Sequence, residues 1–533
     1  MNRSTTTTTT SLLKKMFASL LSTVWVGAFV TSATKNTVLA GASLATTTKK
    51  AVAPTVPIRT ESDSTESTSI LNAGEVIFDP ASQRRPLKVL FLSSDTGGGH
   101  RASAESLANQ FQIHYPGTTY DLLDIWTTDG VWPYRTLVDS YKHLSAHPRQ
   151  WQFLYHLSNS RPWEVMTDVH SIFMCEKKIR QRIESYDPDV VVSVHPAMQL
   201  APIKALRKLS KAKGKHIPFY TVVTDLASGH ATWFQRNTER MYLASESLFR
   251  LARRRGRTPK ENIVMSGLPI RHDFALEAQE LGDRNTPDGR SYQMSVKKEL
   301  GIDPTKPMVL LMGGGEGVGS LDTITNEIYA ALVKHGVDAT ICVVCGRNEK
   351  LKTELAERDW DAVLRGEHRP KKKGFWARFR HQRSKTVQDA LDHRAAVGEG
   401  HHGQGNVNVV GLGFVTRMAE YMVAADVLVS KAGPGTIAEA AAVGLPVMLT
   451  SFLPGQEAGN VDFVLEGGFG DFADDPVEIG EEVSTWLRDP ELMKSMSNKA
   501  RECGRPNAAA EIVLDIGSRT QTWMMLNDDK SVA

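Results

Sequence analysis

One stretch restricts the fold of this chain more than any other: Ser430 to Ala442, read SKAGPGTIAEAAA. Asp426-Val427-Leu428-Val429-Ser430 before it is an apolar run of strand length, and Ile437 to Val443 after it is rich in helix formers. The Gly-Pro-Gly is therefore a strand-to-helix turn. Gly433 and Gly435 let main chain approach a ligand closely, while Thr436 to Ala438 would leave unpaired N–H groups at a helix start. A phosphate suits that position, and Glu439, about one helical turn further in, suits a pair of ribose hydroxyls. The pattern predicts a nucleotide diphosphate held by its phosphates and its sugar. The alternative is a tight connection whose glycines serve packing alone.

The same strand-turn-helix pattern recurs along the chain. Its 533 residues, 41% hydrophobic and 23% charged, are enough for two or three globular domains. From Pro86 strands and helices alternate, which predicts α/β, with doubly wound parallel sheets. Leu87 to Leu92 is the first strand, and its loop SSDTGGGH (Ser93 to His100) again places glycines, Gly99 among them, before a helix. Strands at Val190 to Val194 and Phe219 to Val223 end on His195 and on Thr224-Asp225. His100, His195 and Asp225 thus gather on the carboxyl edge of one sheet. Asp187-Pro188-Asp189 precedes its strand, so this D-x-D falls on the other edge and reads as a helix-ending turn.

Gly267-Leu268-Pro269 reads as a hinge, dividing a first domain at 86–268 from a second at 269–533. In the second, Met308 to Met312 runs into GGGEGVG, which contains Gly313 and Gly314. The strand Ala339 to Cys345 ends at Gly346-Arg347-Asn348. GLGFVT (Gly411 to Thr416) and PGQEAGN (Pro454 to Asn460) are further loops on that edge. The loop SSDTGGGH is not the G-x-G-x-x-G dinucleotide fingerprint, and no G-x-x-x-x-G-K-[ST] occurs in the chain, so nicotinamide and P-loop readings lose support. Lys+Arg 63 against Asp+Glu 60 is too balanced for nucleic acid as the main partner. Cys342 and Cys345, three apart on a strand, point to opposite faces and cannot share a zinc ion.

Residues 1–85 differ from the rest: rich in Ser and Thr, free of acidic residues before Glu61, with Lys14-Lys15 ahead of an apolar run from Met16 to Val30. That composition predicts a targeting leader and disordered linker. It is similar to the two-part leaders of plastids with extra envelope membranes; a secretory signal with linker is the alternative. Trp126 to Trp163 is dense in aromatics, read either as a lipid-facing surface or as a buried cluster. A basic insertion at 365–404, carrying KKKGFWARFRHQR, reads as an interfacial helix or a solvated loop.

The strings SSDTGGGHRASAE, VSVHPAMQ, TVVTDLASGHATWF, GLPIR, LMGGGEGVG, VVCGRN and SKAGPGTIAEAAAVGLPVMLTSFLPGQEAGN occur in this order. In them the chain resembles the monogalactosyldiacylglycerol synthase family of MurG-like glycosyltransferases. The resemblance implies the GT-B fold, two Rossmann-like domains facing a cleft. It also implies inverting transfer of galactose from UDP-galactose to 1,2-diacylglycerol, without a metal. It places UDP against Gly99, Gly313, Gly314, Arg347, Phe414, Val415, Gly433, Pro434, Gly435, Thr436, Ile437 and Glu439, and galactose against Gln456, Glu457 and Asn460. His100 is the leading base, with Asp225 or His195 as base or orienter; Pro133 and Trp233 are associated with activating anionic lipids. The setting implied is the plastid envelope, with monotopic attachment, and a homodimer stays open. Rivals are glucosyl transfer to diacylglycerol, a UDP-sugar epimerase or hydrolase, and a lipid-responsive protein without turnover.

Overall fold

The computed structural model describes residues 84–96, 98–313, 321–367, 385 and 404–532. The leader at 1–83, Gly314 and nearly all of the 365–404 insertion lie outside the described residues. Two six-stranded sheets form, and every strand pair in both is parallel.

The first sheet contains β1 (Lys88–Leu92), β2 (Thr119–Leu123), β3 (Val190–Ser193), β4 (Phe219–Val222), β5 (Arg240–Leu243) and β6 (Ile263–Met265), ordered β2-β1-β3-β4-β5-β6. The second contains β7 (Met308–Met312), β8 (Ala339–Val344), β9 (Val407–Leu412), β10 (Val427–Ser430), β11 (Val447–Leu449) and β12 (Gly470–Phe472), ordered β12-β11-β10-β7-β8-β9. Successive side chains of a strand face opposite sides, so a sheet covered on both faces needs continuous apolar runs. β1 shows this: Val89 and Phe91 join one core, Leu90 and Leu92 the other. In β7, Met308 and Leu310 face one way and Val309 and Leu311 the other. Cys342 and Cys345 likewise belong to opposite cores, as their spacing predicts.

Strand order fixes where ligands can enter. A doubly wound sheet opens a crevice where consecutive connections leave in opposite directions, beyond the carboxyl ends of the strands. In the first sheet that point lies between β1 and β3, where Leu92 pairs with Ser193. In the second it lies between β7 and β10, where Met312 pairs with Ser430. The loops after these four strands carry His100, His195, Gly313 and the Gly433 turn. On the opposite edge, Asp187 ends its helix with φ 44°, and Asp189 accepts from the Lys88 N–H at 2.9 Å, so the D-x-D serves the sheet's amino end.

The last helix, Ala508–Val532, lies apart in sequence from what it packs on. Ala509, Ile512, Val513 and Ile516 are buried in the first sheet's core beside Leu87, Val89, Phe111 and Tyr242. Tyr242 donates to Asp515 at 2.8 Å, and Asn527 bonds the His216 backbone at both its side-chain oxygen and its nitrogen. A second domain running unbroken over 269–533 is corrected on this point, because these residues complete the first domain.

Candidate active site

The first crevice is a histidine pair on buried polar supports. Helix α1 (Gly98–His114) starts in the loop after β1, and His100 lies in its first turn, 7% exposed. Its Nδ1 lies 2.6 Å from Thr224 Oγ1, and the Thr224 hydroxyl donates to the Val194 carbonyl at 3.2 Å. With its proton committed to that carbonyl, Thr224 can only accept from the ring. Nδ1 of His100 therefore carries the hydrogen, and Nε2 keeps its lone pair. Burial lowers the His100 pKa to about 4, opposed by the Val194 carbonyl. Burial, rather than the helix start beside it, is the main cause.

His195 is in the other tautomer. Its Nδ1 accepts from the Ala197 N–H at 3.2 Å, so Nε2 donates to Thr96 Oγ1 at 2.7 Å. The two imidazoles meet edge to face, centroids 4.8 Å apart. With both ring nitrogens engaged, His195 packs against His100 and is held neutral by burial and by that neighbour. Asp225, after β4, accepts from the Trp233 indole N–H at 2.7 Å. Burial raises its pKa to about 7, the indole restrains the rise, and Glu457 from the second domain adds to it. Trp233 is fully buried, 6.1 Å from His100 between centroids. The structure gives it a buried support role for Asp225, not a surface suited to direct lipid contact. Pro133 is buried as well, whereas Trp132 next to it is 47% exposed.

The second crevice is lined by main chain. Helix α3 (Pro434–Ala442) has Gly433 as its N-cap with no side-chain cap and no acidic residue in its first turn. The N–H groups of Gly435 and Thr436 are thus left for an external acceptor. A Cβ built on Gly435 would meet nothing within 4 Å, and on Gly433 nothing closer than 3.7 Å. Packing therefore does not require glycine at either place. Ile437 is fully buried and anchors the helix to its core. Lys431 supplies a cation that the sequence reading left unassigned: its Nζ lies 4.0 Å from where a Gly433 Cβ would stand, and 2.9 Å from Glu457 Oε1.

Other expected donor contacts divide into free and committed groups. Arg347 is exposed at the carboxyl end of β8, and Phe414 is 71% exposed just beyond β9, with Val415 packed beneath on the core. Glu439 accepts both arms of Arg271, at 2.8 and 2.9 Å, which ties α3 to the hinge. Each carboxylate oxygen retains a second lone pair for a ribose hydroxyl. Glu457 is more fully used, by Lys431 and by the Leu453 N–H at 2.8 Å. Gln456 differs: its side-chain oxygen is buried and accepts no hydrogen bond among the described residues.

Asn460 joins the two halves. Its Oδ1 accepts from the Ala227 N–H at 3.3 Å and its Nδ2 donates to the Ala432 carbonyl at 3.0 Å. Asn460 is thus a strut between the loop of Asp225 and the turn of Gly433, and it is 2% exposed. Ser228 donates to the Gln456 carbonyl, and Gly455 lies so close to the Tyr155 ring that a Cβ would stand 2.6 Å from it. Among the described residues no three His, Cys, Asp or Glu side chains gather around a metal-sized space.

Residues 100–270 match the family model described as monogalactosyldiacylglycerol (MGDG) synthase, and residues 340–458 match the glycosyltransferase family 28 C-terminal domain. The chain is 34% identical over 438 residues to "Monogalactosyldiacylglycerol synthase 1, chloroplastic" of Arabidopsis thaliana, covering 81% of this chain and 71% of that one. The chain belongs to the monogalactosyldiacylglycerol synthase family. The spinach (Spinacia oleracea) monogalactosyldiacylglycerol synthase is 33% identical, over 81% of this chain and 72% of its own. Among solved structures, MurG of Acinetobacter baumannii aligns with a TM-score of 0.48 at 18% identity, over 81% of this chain and all of that one. The monogalactosyldiacylglycerol synthase match encloses His100, His195, Asp225 and Trp233, and the second encloses Arg347, Phe414, the Gly433 turn and Gln456.

Thr224, Thr96, Lys431 and Arg271 are the polar partners that the sequence reading did not assign. Thr224 adjoins Asp225 and Lys431 lies two residues before Gly433, and nearness to a strand's carboxyl end was the available signal.

Proposed function

We propose that this chain moves galactose from UDP-galactose to the free hydroxyl of 1,2-diacylglycerol, inverting the anomeric carbon. The observation that carries the reading is the linkage of two crevices by Asn460, one holding a base of fixed tautomer and the other an uncapped helix start. His100 Nε2 accepts the acceptor hydroxyl's proton as its oxygen bonds to the anomeric carbon, and the bond to the diphosphate breaks with its electron pair leaving on UDP. A buried imidazole of low pKa stays unprotonated at neutral pH. It is basic enough, because an alcohol oxygen bonded to the anomeric carbon is a far stronger acid than imidazolium.

The leaving charge is met by the Gly435 and Thr436 N–H groups and by Lys431, donors already in place. Phe414 offers a face to uracil, Arg347 a cation near the nucleotide, and Glu439 its spare lone pairs to the ribose. The unused Gln456 oxygen, beside Glu457, receives a galactose hydroxyl. No covalent sugar-enzyme intermediate is needed for a single displacement.

The acceptor is resident in a bilayer, and no helix among the described residues is long and apolar enough to cross one. Helix α2 (Arg161–Tyr186) instead exposes Val165, Val169 and Phe173, four residues apart, with Trp132 and Phe153 also exposed on the first domain. Such a stripe supports peripheral attachment to a membrane, with anionic lipid favoured by Lys177 and Lys178 beside Phe173. The aromatic stretch divides accordingly: Trp126 is 3% exposed and stacks on Tyr134 at 4.8 Å, whereas Trp132 and Phe153 face solvent. The names of relatives include the word chloroplastic, which supports a plastid setting, and the envelope is the surface proposed for this chain.

The test is chromatographic analysis of lipid made from labelled UDP-galactose or UDP-glucose, with and without diacylglycerol. Galactolipid formation that His100→Ala abolishes, with UDP binding retained, supports the reading. Free sugar or epimer from the wild type in place of lipid overturns it.

A further inference from the structure

Two short helices of the first domain, Leu137–Ser145 and Pro148–Ser158, carry an aromatic row up to the loop that bears Gln456 and Glu457. The row starts at Tyr155, whose ring takes the contact from Gly455. Tyr155 also meets the His230 ring edge to face with centroids 5.4 Å apart, and Ser158 Oγ lies 3.0 Å from His230 Nε2. The second helix is thus held against both lobes. One helical turn back is Trp151, its ring centroid 6.1 Å from that of Tyr155, and Tyr141 meets Trp151 edge to face at 5.3 Å.

This packing brings the Tyr141 hydroxyl to the cleft. Burial, then the Glu457 carboxylate, then that of Asp225 push its pKa up to about 12. The phenol is therefore a neutral donor at neutral pH, within electrostatic reach of one carboxylate from each lobe. Both carboxylates are otherwise engaged, Glu457 by Lys431 and the Leu453 N–H, Asp225 by the Trp233 indole. Among the described residues the Tyr141 hydroxyl makes no hydrogen bond. The same holds for three buried atoms around it: the Trp151 indole nitrogen, the Gln150 side-chain oxygen and, across the cleft, the Gln456 side-chain oxygen. Buried polar groups are ordinarily paired, so donors and acceptors left over on both sides of one loop suit a ligand dense in hydroxyls. Glu457 acts on the phenol more strongly than Asp225 does, which puts Tyr141 on the sugar side of the cleft.

We propose that Tyr141 is a sugar-binding residue supplied by the first domain, its hydroxyl donating to a ring hydroxyl of the hexose carried by UDP, opposite the contact made by Gln456. The inference rests on the reading that a UDP-hexose is the donor, and it holds for either hexose. The test is calorimetric titration of the full chain, without diacylglycerol, by UDP, UDP-galactose and UDP-glucose. Tyr141→Phe keeps the ring on Trp151 and removes only the hydroxyl. Loss of one neutral hydrogen bond to a ligand weakens binding about 3- to 10-fold.

Tyr141→Phe that binds UDP as the wild type does, and binds the UDP-hexose weaker by that factor, supports the contact. Unchanged affinity for the UDP-hexose, or equal weakening toward UDP and UDP-hexose, overturns it. So does a loss that appears only as a raised KM for diacylglycerol in the transfer assay, which assigns the hydroxyl to the acceptor. A wild type that takes UDP-glucose and rejects UDP-galactose overturns the galactosyl reading alone, and the ratio of UDP to UDP-glucose affinity then decides the role of Tyr141.

Discussion

Replacing Thr224 by valine tests the tautomer assigned to His100. Valine keeps the shape and removes the oxygen that receives the Nδ1 hydrogen at 2.6 Å. Thr224 and His100 are 4% and 7% exposed, so water has little access to replace the lost bond. Leaving a buried donor without its partner costs about 1 to 3 kcal/mol. If that energy holds Nδ1–H in place while Nε2 accepts the proton, the barrier rises by the same amount. A tenfold change corresponds to about 1.4 kcal/mol, so kcat falls between about 5-fold and about 150-fold. The assay is initial-rate galactosyl transfer into mixed micelles, with the KM for UDP-galactose measured alongside. That KM stays near its original value, because Thr224 lies on the acceptor side of the Asn460 strut. Thr224→Ser restores most of the rate by restoring the hydroxyl. Unchanged kcat in Thr224→Val, or equal losses in the valine and serine variants, would refute the assignment of Nε2 as the base.

Gly435→Ala separates binding from packing at the turn: with open space around that Cβ, the protein melts as before while UDP binds at least tenfold more weakly in calorimetry. Lys431→Ala lowers kcat about tenfold or more by removing a cation beside the departing diphosphate, and Lys431→Arg recovers part of it. Asp225 has a native pKa of about 7, above the unfolded carboxylate range, so the stability it contributes at low pH is lost as pH rises from about 4 through 7. Asp225→Asn therefore gains more melting temperature over the wild type at pH 8 than at pH 5, and equal gains at both would contradict the burial argument. Ile512→Ala, which empties a fully buried position in the first domain, costs about 2 to 5 kcal/mol in denaturant unfolding and leaves the donor crevice intact in any folded fraction.

Much of this architecture was readable because buried parallel strands are uninterrupted apolar runs. β1, β3, β4, β7, β8 and β10 each stand out in that way, and each ends on the loop that carries a site residue. β2 and β12 escaped notice for physical reasons. The first is TYDLL at an exposed sheet edge, the second three residues beginning with glycine. His100, His195 and Asp225 were found from position alone. Their protonation states were not, because those depend on Thr224, Thr96 and Trp233, brought in by separate loops. Trp233 illustrates the limit: its sequence neighbourhood carries a resemblance, but only packing shows an indole N–H committed to Asp225. The final helix went unread in the sequence, and nothing in its own residues names the sheet it serves.

That return of the final helix has a mechanical result. The backbone passes between lobes at Gly267-Leu268-Pro269 and again just before Ala508, and the passages touch: a Cβ on Gly267, whose φ is +89°, would stand 2.6 Å from Arg505 Cβ. Lobes tethered by one strand can swivel freely, whereas lobes tethered by two adjoining strands bend about their shared contact and resist twisting. A hinge of that kind favours opening along one track over twisting, and the Ser228 hydrogen bond to the Gln456 carbonyl is a contact that such opening would break.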